Sequence, residues 1–285
     1  MPSLSQHHSN NLVKLLLLGD SKAGKTSSLA SLVGAGYKLF VLDFDNLLDV
    51  LAARILESYP DKLGNVEYRS MRDKLKGTDK GVVIDGSPVA WTNSLKMLNN
   101  WKYTDEETGE VIDYGKPAEW GSECILVVDS LSRWSDAAMD FHEVMNRNPD
   151  RRAIFYSAQK DVEAQIAGLT SPHFQTNVIV ICHGVLQERP DGTKKLFPKG
   201  IGSALSPIIP TYFPNYLQLT RKGDKRTFKT SSNNMIDLAT AKPVPDDLDA
   251  STGLAEFFAI LRGAGAKSQV EQPAPKPKAL TLRRA

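Results

Sequence analysis

The sequence predicts an α/β fold, a mostly parallel sheet flanked by helices. Three observations predict it. Short apolar runs at residues 12–18, 38–43, 124–128 and 177–182 read as strands buried on both faces. Segments with helical spacing of apolar residues lie between them, at 26–33, 47–59, 133–146 and 153–169. The first apolar run passes through a glycine-containing loop into the first helix, as strand–loop–helix units do. A length of 285 residues, 41% hydrophobic and 24% charged, suits one large globular domain and excludes a collagen, a coiled-coil rod or a wholly disordered chain.

Residues 1–11 are polar and read as a disordered leader; His7 and His8 are too few for a metal tract. This leader lacks a signal-peptide core, and no apolar run approaches the ~20 residues of a bilayer span. A cytoplasmic protein with no membrane partner is expected. The core domain is expected over 12–263. The helix at 26–33 ends near Gly34 and Gly36, and that at 47–59 stops before Pro60. A short strand at 66–70, a helix at 88–100 and a hairpin turning at Glu107-Thr108-Gly109 together suggest a helix/hairpin insertion at about 66–121. Residues 187–203 read as a polar loop, 215–220 and 226–230 as late strands, and 253–261 as a final helix. The Pro-Ala-Pro-Lys-Pro-Lys run at 273–278 marks 264–285 as a flexible basic tail.

Two cysteines, Cys124 and Cys182, both in apolar runs, exclude a disulfide framework and read as small buried hydrophobes. The formal charge of +2 is uneven, because the tail holds five basic residues and one acidic one. The body is therefore slightly acidic. Any nucleic-acid contact must come from local patches or the tail.

The segment Gly19-Asp20-Ser21-Lys22-Ala23-Gly24-Lys25-Thr26 fits G-x-x-x-x-G-K-[ST] at every fixed position. Glycines permit the backbone turns that aim N–H groups at phosphate oxygens where a helix begins. Residues 19–27, Ser27 included, are the expected cradle for ATP. Lys25 would reach the β- and γ-phosphates, and the Thr26 hydroxyl would bind Mg²⁺. The apolar strand ending in Asp129 fits the second element of such sites, an acid that holds Mg²⁺ beside Thr26. No Asn-Lys-x-Asp occurs, which argues against a GTPase.

Asp129 is followed by Ser130 rather than Glu, so the water-orienting acid is sought at the end of the next strand, Leu42-Asp43-Phe44-Asp45. Asp45 is the first choice and Asp43 the second; strand alternation would put both on one face. His183, ending the run at 177–182, is placed to hydrogen-bond the γ-phosphate or the attacking water.

The order of these parts resembles the phage RecA-like P-loop nucleotide-binding proteins, which include the Sak-type single-strand annealing ATPases. The resemblance covers roughly residues 14–263. Besides both phosphate-site motifs it takes in His183-Gly184, Pro198-Lys-Gly-Ile-Gly202, Ile209-Pro-Thr-Tyr-Phe213, Tyr216-Leu-Gln-Leu219 and 221–230. It implies a RecA-like P-loop NTPase core that binds ATP and Mg²⁺, assembles as a homo-oligomeric ring or filament, and acts on single-stranded DNA in recombination, annealing or replication. A phage or host single-strand-binding protein is an implied partner, and the host cytoplasm the implied location. The loop at 187–203 sits where such proteins contact DNA, with Arg189, Lys194, Lys195 and Lys199 for phosphates and Phe197 for base stacking. Arg226 and Lys229, on a late strand, would reach the neighbouring subunit's γ-phosphate. Two other readings stand beside this one: a nucleotide-gated assembly protein with negligible turnover, favoured by the short acid, and a small-molecule kinase.

Overall fold

The computed structural model describes residues 12–145, 150–189 and 191–263. The expected leader and the basic tail lie outside the described residues.

The chain enters through β1 (Lys14–Gly19), α1 (Lys25–Ser28), α2 (Ala30–Gly34), β2 (Lys38–Asp43), α3 (Asp49–Ser58) and β3 (Val66–Ser70). Two excursions follow: a hairpin of β4 (Leu75–Thr78) and β5 (Gly81–Ile84), then α4 (Ala90–Asn99) and a hairpin of β6 (Lys102–Thr104) and β7 (Val111–Asp113). The chain returns with β8 (Gly121–Asp129), α5 (Leu131–Met145), α6 (Arg151–Thr170) and β9 (Thr176–Cys182). It continues with a hairpin of β10 (Gly184–Glu188) and β11 (Lys194–Pro198), then α7 (Gly202–Leu205), β12 (Asn215–Lys222), β13 (Lys225–Lys229), β14 (Leu248–Asp249) and α8 (Gly253–Arg262).

The main sheet has the order β14-β13-β12-β1-β9-β8-β2-β3. From β12 to β3 every neighbouring pair is parallel; β13 and β14 add antiparallel pairs at one edge. Side chains alternate across the pleat, so β1 serves two cores. Leu15 and Leu17 pack with α2, α3 and α8, where Leu32, Ile55 and Phe257 are buried. Leu16 and Leu18 pack with α4, α5 and α6, where Trp91, Trp134 and Val162 are buried. The continuous apolar strands are thus the consequence of helices on both faces. All four tryptophans are core: Phe40 stacks on Trp120 at 3.9 Å between centroids, and Trp134 Nε1 donates to Ser94 Oγ at 2.9 Å.

Three expectations need correction. Residues 66–70 are not part of an insertion; they form the edge strand of the main sheet, paired in parallel with β2. The excursion therefore starts after Ser70 and carries two hairpins, of which β4/β5 escaped notice because its residues bury almost nothing. Residues 187–203 are not one continuous loop; they include the end of β10, all of β11 and the start of α7, with Leu186 opposite Leu196.

Candidate functional site

The six parallel strands finish on one edge of the sheet. In register, Gly19 faces Leu219, Asp43 faces Asp129, and Asp129 faces Ile181, two residues before His183. Open parallel sheets bind ligands at this edge, where successive crossovers leave by opposite faces. Here β1 feeds helices on one face, and β8 feeds α5 and α6 on the other.

The phosphate-loop candidate leaves β1 at Gly19. A Cβ there would lie 2.8 Å from the Leu219 carbonyl oxygen, so only glycine fits. Gly24, at φ 101°, caps α1 in the left-handed region without a side-chain hydrogen bond. The first amides of α1 have no intrahelical acceptors, which leaves them for an anion. Ser27 Oγ donates to the Gly24 carbonyl at 3.1 Å and closes the turn, while Ala23 is buried in the core below. Lys25 is buried, and its Nζ donates to the carbonyls of Gly19 and Asp20, both at 2.8 Å. Burial pulls its ammonium below the ordinary lysine range, against the pull of nearby Asp129 and Asp45.

Thr26 Oγ1 donates to Asp129 Oδ2 at 2.6 Å. Burial pushes the Asp129 carboxyl up to about 6; the Thr26 hydrogen bond opposes this, and the charges of Asp45 and Asp43 add to it. Asp43, Asp45 and Asp129 crowd neighbouring strand tips, and the charge of Lys25 opposes theirs. Among the described residues no group of three or more His, Cys, Asp or Glu is arranged to hold a metal ion by itself. Two hard oxygens beside an anion cradle nevertheless suit Mg²⁺, which keeps several waters and takes the rest of its shell from phosphate.

Asp43 and Asp45 separate. Strand β2 ends at Asp43, whose Oδ1 accepts from the Asn46 amide at 2.7 Å, and burial raises its carboxyl. Asp45 lies one turn further. Its Oδ1 accepts from Ser130 Oγ at 3.0 Å, and its Oδ2 lies 3.6 Å from His183 Nε2. Burial would raise this carboxyl, but the nearby His183 ring and the Ser130 hydrogen bond outweigh it and hold it below the ordinary range. Asp45, Asp129, His183, Lys25 and Thr26 line one cleft of about 1210 Å³, together with Ser21, Lys22, Gly24 and Ser27. Asp43 is not among its lining residues.

The two late basic residues, expected to reach a neighbouring subunit, differ in where they sit. Arg226 lies against Gly24 of its own chain, in the same cleft. Lys229 is engaged by Asp246 at 3.6 Å and Asp247 at 2.6 Å and does not line the cleft. The β10/β11 hairpin carries the predicted DNA residues. Lys195 and Arg189 both pair with Asp237, the latter at 3.7 Å, and the Arg189 guanidinium lies 5.8 Å from the Phe197 ring centre. Lys194 and Lys199 are exposed. The hairpin base is tied to the site: the Lys199 amide donates to the His183 carbonyl at 2.8 Å, and the His183 amide to Ser132 Oγ at 3.3 Å. Sequence reasoning missed Ser130 and Ser132, whose signal is the polar alternation just after Asp129. It also missed Arg72 and Arg133, which line the cleft near Asp45; nothing local marks them.

No curated protein matches the chain. Among solved structures it is similar to a prototypical ATPase of the type III secretion system of pathogenic bacteria, at 14% identity over 73% of this chain and 51% of that one, TM-score 0.37. It is also similar to the assembled ATPase EscN of the enteropathogenic E. coli type III secretion system, at 13% identity over 74% of this chain and 43% of that one, TM-score 0.38. The chain thus spans about half the length of these ATPases. A family described as an AAA domain matches residues 11–238. That match runs from the first strand past β13 and takes in the phosphate loop, both acid-bearing strand tips and His183; the chain belongs to this family, and its core is an AAA-type P-loop ATPase domain.

Proposed function

We propose that this domain hydrolyses Mg-ATP and couples that cycle to single-stranded DNA. One observation carries the hydrolytic part: Asp45 accepts from Ser130, lies 3.6 Å from His183, and lines one cleft with the phosphate loop. Bound Mg²⁺ supplies charge neutralisation for the phosphates, and Thr26 and Asp129 are the residues that would hold it. Lys25 exchanges its two carbonyl partners for phosphate oxygens. Asp45, low in pKa, stays ionised at neutral pH and accepts a hydrogen bond from the attacking water, aligning it in line with the leaving oxygen. His183 keeps Asp45 from rotating away.

The DNA part rests on the likeness to phage RecA-like annealing proteins and on the hairpin. Because β10 begins at the residue after His183 and β11 ends one residue before Lys199, which bonds back to His183, a load on the hairpin bears directly on the Asp45 partner. Assembly into a homo-oligomer and cooperation with a single-strand-binding protein belong to the same proposal.

The test is ATP turnover with and without single-stranded DNA, with oligomeric state followed in parallel. Turnover should rise with DNA, and Lys25→Ala should abolish both turnover and nucleotide binding. Binding of ATP with turnover indifferent to DNA would replace the proposal by a nucleotide-gated assembly protein. Phosphate transfer to a metabolite would replace it by a kinase.

A further inference from the structure

We infer that Arg226 is a clamp for the inner phosphates of the nucleotide bound to its own chain. The inference rests on the nucleotide-binding reading above and names a partner that the site's motifs do not contain.

The approach direction is the first argument. Asp129, Asp45 and His183 reach the loop from β8, β2 and β9, on one side of β1. Arg226 comes from β13, on the far side of β12, and so meets the loop from the opposite flank. Its backbone is fixed there: Arg226 is in register with Arg221, and its carbonyl accepts from the Ala250 amide at 3.0 Å.

Contact is the second. A Cβ built on Gly24 would lie 3.2 Å from both Cδ and Nη1 of Arg226, and 3.3 Å from Ser27 Oγ. Two features meet at this glycine, its φ of 101° and the Arg226 side chain packed against it. Motif spacing explains only the first.

The third is the state of the guanidinium. Arg226 Nε is buried with no hydrogen-bond partner, and among the described residues no carboxylate pairs with this side chain. Arg54, Arg133, Arg189 and Arg262 all have acidic partners. The side chain is half-buried with this one donor unpartnered, and a planar fork of donors is best satisfied by two oxygens of one oxyanion. The cleft it lines is the phosphate cleft.

Flank decides which phosphate. Asp45 and His183 mark the side on which the terminal phosphate meets water. An arginine on the other flank of the loop meets the phosphates that ATP and ADP share. Arg226 therefore contributes equally to substrate and transition state, raising affinity without raising kcat. This differs from an arginine supplied by a neighbouring subunit, which acts on kcat and spares ADP.

The experiment compares wild-type protein with Arg226→Met and Arg226→Lys. Dissociation constants for ADP, ATP and pyrophosphate are measured with Mg²⁺ present, alongside kcat, KM and unfolding temperature without ligand. In Arg226→Met all three ligands should bind about 10- to 100-fold more weakly, with KM rising in step and kcat within about threefold of wild type. Arg226→Lys should fall between, keeping the charge and losing the fork. Without ligand, Arg226→Met should unfold no earlier than wild type, since it removes an unpaired buried donor. The inference is overturned if ADP and pyrophosphate bind Arg226→Met as they bind wild type. It is also overturned if Arg226→Met loses turnover and mixing it with Lys25→Ala restores it, which requires the arginine to act across subunits. If wild-type protein binds no nucleotide, the underlying reading falls instead.

Discussion

Asp43 and Asp45 are two residues apart, and strand alternation alone would give them one face. The chain does not stay a strand. Asp45's amide follows Phe44's in bonding to the Asp129 carbonyl, at 3.3 Å and 2.6 Å, and Asn46 takes a positive φ of 57°. That bend sends Asp43 back to cap the turn and Asp45 forward into the cleft. Their substitutions should therefore separate. Asp45→Asn keeps the shape and removes the negative charge, so kcat should fall about 100-fold or more while ATP affinity changes little. Asp43→Ala removes the acceptor of the Asn46 amide and should lower unfolding stability by about 1 kcal/mol, with turnover per folded molecule retained. Equal losses of kcat in both would remove the basis for choosing Asp45. The phosphate loop was legible in the sequence because its chemistry is local: glycines, Lys25 and Thr26 at fixed spacing. The Asp45 assignment needed the bend, and the position of Arg226 needed the β12/β13 hairpin, legible from its Gly-Asp turn, to be laid beside β1, which no spacing encodes.

At the scale of elements, the buried strands were readable almost to the residue because two helical layers demand apolar side chains on both faces. The segments that bury little were not. The β4/β5 hairpin exposes Leu75, Val82 and Val83, and β10/β11 is amphipathic only weakly, so neither shows a clear period. The second of these carries the proposed DNA contact. Lys195 and Arg189 are neutralised in part by Asp237, whereas Lys194 and Lys199 are free to meet phosphate. Each phosphate contact on a single strand contributes about 0.7 to the slope of log affinity against log salt. The double variant Lys194→Ala/Lys199→Ala should thus flatten that slope by about 1.4, and Asp237→Asn should tighten DNA binding at low salt. A slope unchanged in the double variant would move the DNA surface away from this hairpin.

For the whole molecule, the sheet has two unlike ends. At the carboxyl ends, carboxylates gather around the phosphate loop. At the amino end, Lys14 is buried, with Nζ donating to the carbonyls of Phe174 and Thr176, both at 2.7 Å, and lying 4.7 Å from the Phe174 ring centre. Lys14 is 7% exposed, and burial pushes its ammonium down to about 7. Unfolded lysine titrates near 10.4, so between these values the unfolded chain holds a proton that the native chain has released. Stability then rises with pH across that window, by at most about 1.4 kcal/mol per pH unit, and the contribution is complete above the unfolded value. The carbonyls and the ring favour the charged form and shallow the slope. Urea unfolding of wild type and Lys14→Met from pH 7 to pH 10 isolates the effect, since every other group is common to both. The wild-type-minus-variant stability should climb with pH. A flat difference would mean that the two carbonyls and the ring fully repay the burial, leaving Lys14 charged in the folded chain and the amino end of the sheet as polar in substance as the other.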